Sequence, residues 1–140
     1  MSNHARHAAD RMHSASIHLL RRVSREDAGA GTSPARLSAL SVLVFAGPKT
    51  MSELAEVERV KVPTMSRLVA AMEAEGLVRR ERHGTDARSV VLHPTVKGRR
   101  LLDRARELRL SLLESLLSTA TPREVATIRE AADIVDRLVL

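Results

Sequence analysis

The feature that most constrains the fold is the stretch from residue 52 to residue 88, where two short helix patterns precede a hairpin pattern. The second helix pattern begins near Pro63 and ends before Gly76, a residue suited to the left-handed position after a helix. Two β-rich runs, 77–82 and 89–93, are joined by a basic turn. Helical spacing relates the apolar residues Leu54, Ala55 and Val57 in the first pattern and Met65, Leu68, Val69 and Met72 in the second. The stretch therefore predicts helix, turn, helix and β-hairpin in that order.

Two helix patterns come before this stretch. The first covers residues 8–23 and has one apolar stripe at steps of three and four. A break is predicted at residues 27–32. Ser33 followed by Pro34 then predicts an N-cap and first helical position, and this second helix should end at Gly47.

Two longer helix patterns come after it. Thr95 is predicted to cap a long helix with a wide leucine stripe. Thr121 and Glu124 have the spacing of a capping box and should begin the last helix. The terminal helices hold more leucine than one small lobe can bury, which indicates a helical dimer interface.

Charge is distributed unevenly along the chain. Its 23 Lys and Arg residues exceed its 17 Asp and Glu residues, and the formal net charge is +6. Residues 47–100 hold 11 basic and 7 acidic residues, whereas residues 101–140 hold 6 and 7. A basic lobe suits a partner that carries phosphates, although a solvated basic surface is the commoner explanation of positive charge alone.

Missing residue types exclude several classes of protein. The chain has no cysteine, which excludes a disulfide framework, a thiolate metal site and a thiol redox sensor. Its single aromatic residue, Phe45, favours duplex DNA over single strands, whose readers stack bases on aromatic rings. No signal-peptide pattern and no apolar stretch of about 20 residues is found, so we expect a cytoplasmic protein without a membrane partner.

The two short helices and the hairpin together predict a winged helix-turn-helix, which binds double-stranded DNA. In this fold the second helix contacts base edges through residues near its N-terminal end, here Pro63, Thr64, Ser66 and Arg67. Arg67 could contact guanine or hold a phosphate, and only the first contact would specify sequence. The alternative is a solvated polar helix face.

The hairpin, or wing, adds the cationic residues Arg79, Arg80, Arg82, His83 and Arg88. We expect Arg88 to enter a minor groove, whose negative potential attracts a guanidinium. Asp86 would hold that guanidinium, form the turn, or do both.

Phosphate contacts are expected nearer the short helices. Ser52 is predicted to be an N-cap that clamps a phosphate together with the free amides beside it. Arg59 and Lys61 are further phosphate candidates, with solvated surface charge as the alternative. The complete set of predicted DNA contacts is Ser52, Arg59, Lys61, Pro63, Thr64, Ser66, Arg67, Arg82, Asp86 and Arg88.

Several motifs match one known family. Asp-Ala-Arg-Ser at 86–89 is followed by Thr-Val-Lys-Gly at 95–98, which has the spacing of an Asp-x-Arg-Ser then Thr-x-x-Gly pattern. Segments 54–56, 64–68 and 73–78 match the helix-turn-helix and the turn into the wing. On these residues the chain resembles the multiple antibiotic resistance regulator (MarR) family of winged-helix transcription factors, over essentially its whole length.

The resemblance implies a homodimer with interlocked terminal helices that binds a pseudo-palindromic site and usually represses a gene. A ligand bound between the dimer core and the DNA lobe would release the DNA. The expected fold is mainly α with a small β-hairpin wing (α+β), as one domain at 1–140. Residues 1–46 and 95–140 would mainly dimerise, and residues 47–94 would form the DNA-binding lobe.

Some positions depart from the family pattern. Glu58 and Arg59 stand where the family often has an apolar residue and a glycine, and the sequence at 61–63 displaces the usual Ser-Pro start. Pro94 replaces the usual leucine before Thr95 and is expected to shorten the second wing strand.

Other functions find less support in the sequence. His4, His7, His13 and His18 suggest a metal hypothesis, and after removal of Met1 the free amine and the third-position His4 could hold Cu(II) or Ni(II). A disordered polar tail is the preferred interpretation, and no metal site is predicted. No cofactor is expected. A small aromatic or anionic effector is possible, and Arg and His side chains near the dimer junction could bind its carboxylate, but the sequence does not identify it.

No nucleophile elbow, glycine-rich phosphate loop or paired catalytic carboxylates are found, so an enzyme is not predicted. Two alternatives to a sequence-specific regulator remain open. One is a winged-helix module that binds protein, and the other is an architectural protein that coats DNA without sequence preference.

Overall fold

The computed structural model describes residues 3–85 and 90–140. The predicted mainly helical architecture with a small antiparallel sheet is confirmed. The elements in chain order are α1 Asn3–Ser24, α2 Glu26–Gly29, α3 Pro34–Phe45, β1 Lys49–Thr50, α4 Met51–Val57, α5 Val62–Ala74, β2 Val78–Arg82, β3 Val90–Pro94, α6 Val96–Leu117 and α7 Pro122–Val139.

The helix starts and stops follow local capping chemistry at most ends. Ser33, Thr95 and Thr121 are the N-caps of α3, α6 and α7, and each side chain accepts a hydrogen bond from the amide three residues later, as predicted. The capping box of Thr121 and Glu124 is complete. The break predicted at residues 27–32 is only partly right, because the short helix α2 occupies its first three positions.

The start of α4 corrects the predicted role of Ser52. Thr50 is the N-cap, accepting a hydrogen bond from the Glu53 amide, and the Glu53 carboxylate accepts one from the Thr50 amide. A threonine followed three residues later by glutamate is a capping box, which satisfies two amides where Ser52 could satisfy one. Ser52 instead lies exposed in the first turn of α4.

The end of α5 is a Schellman motif built on Gly76. Gly76 has φ 75°, and its amide donates to the Glu73 carbonyl, while the Leu77 amide donates to the Met72 carbonyl. Leu77 itself is buried in the core. The predicted end of the helix at Gly76 is confirmed, and the turn at Gly76 leads the chain into β2.

The sheet has three strands in the order β1-β3-β2, all antiparallel. The register of the wing pairs Arg79 with His93 and Glu81 with Val91. Strand β1 was not predicted, because two residues are too few for an alternating pattern. It pairs Lys49 with Leu92 and attaches the start of α4 to the wing.

Pro94 does not shorten the second wing strand, which runs through Pro94 opposite Val78. The expectation is wrong because the next residue, Thr95, donates its amide to the Leu77 carbonyl. Leu77 and Thr95 are therefore a hydrogen-bonded pair, and the neighbouring pair at Pro94 needs no amide donor toward β2. On the other side of β3, strand β1 begins at Lys49 opposite Leu92, so it does not reach Pro94 and needs no amide from it.

One apolar cluster holds the lobe together. It unites α3, α4, α5 and the sheet, and its largest fully buried side chains are Leu40, Leu43, Leu54, Met65, Val69, Met72 and Leu92. A smaller cluster of Ala30, Leu37 and Ala105 joins α3 to α6. The lobe is thus a packed unit, while no residue of α1 or α7 is fully buried within the chain.

A buried ion pair fastens α2 to α6. Asp27 is 1% exposed, and Arg109 donates from Nε to Oδ1 at 2.8 Å and from Nη2 to Oδ2 at 2.6 Å. This paired geometry satisfies both carboxylate oxygens. Within residues 3–85 and 90–140, no helix is long and apolar enough to cross a membrane.

Helix α6 approaches the lobe most closely at Gly98. A Cβ atom at this position would lie 2.2 Å from the Leu77 carbonyl oxygen and 3.0 Å from Leu40 Cδ2. The Gly98 amide donates to the Thr95 hydroxyl, which in turn donates to the Gly76 carbonyl. A hydrogen atom is all that fits at residue 98.

We predict that Gly98→Ala lowers the free energy of unfolding by about 3 kcal/mol or more, because the obstructing atom belongs to the backbone and cannot swing aside. Urea denaturation measures the change. Gly29→Ala is the matched control, since its Cβ would meet only Leu108 Cδ1 at 3.8 Å. Equal stability of the two variants would contradict the close approach.

We also predict an asymmetry at the buried ion pair. Arg109→Met leaves the buried Asp27 carboxylate without its partner and should cost about 3–5 kcal/mol. Asp27→Asn should cost less, because the side chain of Arg109 is 31% exposed and water can hydrate it. Thermal unfolding of both variants tests the order, and a larger loss in Asp27→Asn would contradict it.

Candidate nucleic-acid interface

Helix α5 has a buried face and an exposed face at the positions predicted. Met65, Val69 and Met72 are buried against the core that Leu54 and Ala55 of α4 also enter. The opposite face exposes Pro63, Thr64, Ser66 and Arg67. Helix α4 therefore supports α5 from behind and leaves its polar face open to solvent.

The first turn of α5 has no side-chain cap. Its N-cap residue is Lys61, whose side chain makes no capping hydrogen bond, and Pro63 lies in the first turn. Amides at an uncapped helix start need an outside acceptor, and phosphate oxygens suit them because the positive end of the helix dipole lies there.

The turn between α4 and α5 contains a strained residue. Arg59 has φ 55°, and it is the only non-glycine residue with positive φ in the described part of the chain. A side chain in the left-handed region costs about 1–2 kcal/mol, which explains why a glycine is common there in the family that the chain resembles. The Val60 amide donates to the Ala55 carbonyl across this turn and holds it tight.

The residue before Arg59 connects the turn to α3. The Ser38 hydroxyl lies 2.9 Å and 2.7 Å from the two carboxylate oxygens of Glu58, to which it can donate. The side chain of Arg59 is exposed. The turn thus presents a cation at a fixed place next to the start of α5.

The structure separates the cations of the lobe into two groups. Arg79 Nη1 lies 3.0 Å from Glu81 Oε2, and Arg80 Nε lies 2.7 Å from Glu73 Oε1, so both are paired with carboxylates. No ion pair with a described residue involves Arg59, Lys61, Arg67 or Arg82. All four belong to the predicted DNA contact set, whereas Lys49, which donates only to the Ala46 carbonyl, does not. Sequence alone could not show that Arg79 and Arg80 are paired and these four are not.

The Arg79 pair also perturbs a carboxyl group. The hydrogen bond from Arg79 holds the pKa of Glu81 below its ordinary value, partial desolvation opposes this, and the charges of Arg79, His93 and His83 add to the lowering. Glu81 therefore stays ionised on the wing at any pH near neutrality, where it reduces the positive charge of β2.

The structure describes some of the predicted DNA-contact residues and not others. Arg82 ends β2 and is exposed, and Gly84 in the turn that follows has φ 78°. Asp86 and Arg88 lie outside the described residues, so their proposed roles stay predictions from sequence. Ser52 is not a cap, but its hydroxyl and amide remain in the exposed first turn of α4.

Sequence reasoning missed a cluster on one face of the wing. Glu81, His83 and His93 can each offer one ligand atom such that all three atoms lie within 4.8 Å of one another. The available signal was the two-residue spacing of Glu81 and His83, which puts both on one face of a strand. It could not be used without the register that brings His93 of β3 to the same face.

A cleft of about 580 Å³ lies between α1, α3 and α6. Leu20, Phe45 and Leu102 give it apolar walls, and its charged lining residues are the two cations Arg106 and Arg109 and the single acid Asp103. Arg109 is the residue that also pairs with Asp27. Apolar walls with a few cationic groups suit a small organic anion.

The supporting helix α4, the tight turn, the exposed polar face of α5 and the hairpin that follows define a winged helix-turn-helix. Residues 30–89 match the model of the MarR family. An uncharacterized HTH-type transcriptional regulator of Mycobacterium bovis is 33% identical over 139 residues, which cover 99% of this chain and 96% of that protein.

Solved structures have the same fold. A putative transcriptional regulator from Pseudomonas aeruginosa superposes with a TM-score of 0.82 at 26% identity, covering 99% of this chain and 97% of that one. A mutant of MepR from S. aureus bound to an oligodeoxyribonucleotide superposes with a TM-score of 0.71 at 16% identity, covering 94% and 97%. The chain belongs to the MarR family of transcriptional regulators.

We predict that Arg59→Gly is more stable than Arg59→Ala by about 1 kcal/mol, because both variants lose the charge and only glycine relieves the left-handed strain. Chemical denaturation of the two proteins measures the difference. Their DNA affinities should fall equally if the lost charge is what matters. Equal stabilities would show that the turn adopts another backbone conformation.

Proposed function

We propose that the protein is a homodimeric repressor that binds a pseudo-palindromic operator and responds to a small ligand. The observation that carries the DNA contact is the exposed face of α5, where Thr64, Ser66 and the unpaired Arg67 stand beside an uncapped helix start. Two nearby arginines, Arg79 and Arg80, are instead paired with carboxylates. Free cations around an open helix start suit the negative charge of DNA.

Contacts to DNA would divide by kind. Ser52, Arg59 and Lys61 would contact phosphates, which fix position without specifying sequence. Thr64, Ser66 and Arg67 would meet base edges in the major groove. Arg82 and Arg88 would contact the minor groove from the wing. The MepR neighbour, with the same fold, was solved bound to an oligodeoxyribonucleotide, which supports DNA as the partner.

Dimerisation is supported by the uncovered terminal helices. Apolar side chains along both helices are exposed, among them Met12, Leu20, Ile128 and Leu138 at 53%, 65%, 49% and 74%. Apolar stripes of this kind need a partner surface, and a second copy supplies a matching one in a two-fold dimer. Two copies of α5 would then enter successive major grooves, about 34 Å apart along the DNA.

The effector site would be the cleft between α1, α3 and α6. Arg106 and Arg109 would hold a carboxylate there, and the apolar wall would hold an aromatic or aliphatic body. Because Arg109 also pairs with Asp27, an anion that competes for its guanidinium would loosen α2 from α6. We propose action in the cytoplasm, without cofactor or catalysis.

Fluorescence anisotropy on the gene's own upstream DNA, compared with scrambled DNA near physiological salt, tests the function. We predict selective binding by the wild type. Arg67→Ala should lose about 1–3 kcal/mol and change base preference at one position if it contacts guanine. Arg88→Ala should weaken binding to most sequences and reduce the salt dependence by about one phosphate contact.

Arg129→Ala is the matched control, because it removes the same charge from an exposed position on α7. Its affinity should equal that of the wild type. Equal binding of wild type to both DNAs would favour the architectural alternative. Absence of binding to either DNA would favour a protein-interaction module. Equal losses in Arg67→Ala and Arg129→Ala would show that the proposed surface is wrong.

A further inference from the structure

Three potential metal ligands share one face of the wing. Glu81 lies on β2, His83 follows the end of β2, and His93 lies on β3 opposite Arg79. Alternate residues of a strand point to the same face, so 79, 81 and 83 share a side with 91 and 93. His93 is thus the diagonal neighbour of Glu81, at a distance that long side chains can span.

The distances within this cluster suit one shared ion. His93 Nε2 lies 3.0 Å from Glu81 Oε2, the two imidazole centroids are 6.2 Å apart, and the three ligand atoms lie within 4.8 Å of one another. A tetrahedral zinc ion with bonds of about 2.0–2.1 Å separates its ligand atoms by about 3.3 Å. Small side-chain rotations would bring the three atoms to that separation.

One of these three ligand atoms lacks a hydrogen-bond partner. His93 Nε2 is buried and has no hydrogen-bond partner among the described residues, although Glu81 Oε2 lies 3.0 Å away. A buried polar atom without a partner is costly and calls for a specific explanation. A bound cation would satisfy it.

We propose that Glu81, His83 and His93 form a binding site for a borderline divalent cation, with Zn²⁺ as its best-suited occupant. Two imidazole nitrogens and one carboxylate oxygen are ligands that Zn²⁺ accepts in a tetrahedral site, with water in the fourth position. Mg²⁺ and Ca²⁺ prefer oxygen ligands throughout, so the two histidines select against them.

Arg79 is the competitor of the cation. Its guanidinium already pairs with Glu81, and its side chain is 55% exposed. An exposed arginine can swing into solvent at little cost, because surface ion pairs contribute at most about 1 kcal/mol. Cation binding would therefore release Arg79 and leave its charge free.

The site would act on the wing in two ways. It would fasten β2 to β3 close to the hairpin turn, and it would replace a negative carboxylate by a centre with net positive charge. Both changes favour a stiff, cationic wing, and the released Arg79 adds a further cation. The expected rise in DNA affinity rests on the proposed function, whereas the cation site itself does not.

Calorimetric titration of the full-length protein with ZnCl₂, in the absence of DNA, tests the proposal. One Zn²⁺ per chain is expected. His83→Gln, His93→Gln and Glu81→Gln should each weaken binding at least about tenfold, because even loss of an outer partner of a metal ligand costs 10–100-fold. His83 is exposed, so His83→Gln tests the site even if the partly buried His93 affects folding.

The N-terminal histidines require a control. A variant with His4, His7, His13 and His18 all changed to Gln should keep the same strong site. Co²⁺ in place of Zn²⁺ should give the intense visible absorption of a four-coordinate centre in this variant, and His83→Gln should abolish it. Loss of binding in the N-terminal variant, or unchanged binding in the wing variants, would overturn the proposal.

The effect on DNA is measured separately by anisotropy with Zn²⁺ and with a chelator. Zn²⁺ should strengthen DNA binding by the wild type and not by His83→Gln. A protein that binds Zn²⁺ through the wing but never binds DNA would refute the proposed function and leave the cation site standing. A protein that binds DNA normally and takes no Zn²⁺ would do the reverse.

Discussion

The arrangement of the molecule depends on how closely α6 approaches the end of α5. The Leu77 carbonyl accepts the Thr95 amide at 3.0 Å, and any side chain at residue 98 would collide with the same oxygen. Lys97 donates to the Glu75 carbonyl at 2.8 Å, on the adjacent turn. One short segment of α6 therefore fixes the position of the winged lobe relative to the long helix.

A second set of contacts joins α3 and α2 to the two helices that meet at this junction. Arg36 of α3 donates from Nη2 to Glu75 Oε1 at 2.8 Å, which ties α3 to the end of α5. The pair of Asp27 and Arg109 ties α2 to α6 farther along the helix. The cleft beside Arg109 is thus connected through α6 to the place where α5 ends and the wing begins.

Much of the fold could be predicted because local chemistry decides it. Caps, a stopping glycine and the two faces of α5 depend on residues within four positions of each other. The errors at Ser52 and Pro94 arose where a neighbour decided the outcome, the hydroxyl of Thr50 in one case and the amide of Thr95 in the other. Strand β1 and the position of His93 beside Glu81 depend on strand register, and the pairing of Arg80 with Glu73 depends on how α5 packs beside β2. A single sequence gives neither. The DNA contacts assigned from sequence remain predictions, since geometry shows only which side chains are free.

The uncovered stripes of α1 and α7 have a consequence for folding as well as for assembly. Most of the stability of a helix in a protein comes from tertiary packing of its apolar face, and the apolar face of α7 is largely exposed within the chain. In a homodimer these helices gain their cover from the second chain, so the last part of folding would be a bimolecular step. The midpoint temperature of thermal unfolding would then rise with protein concentration. The concentration of the chain would determine what fraction of it is dimeric with its terminal helices folded, before any ligand or operator is involved.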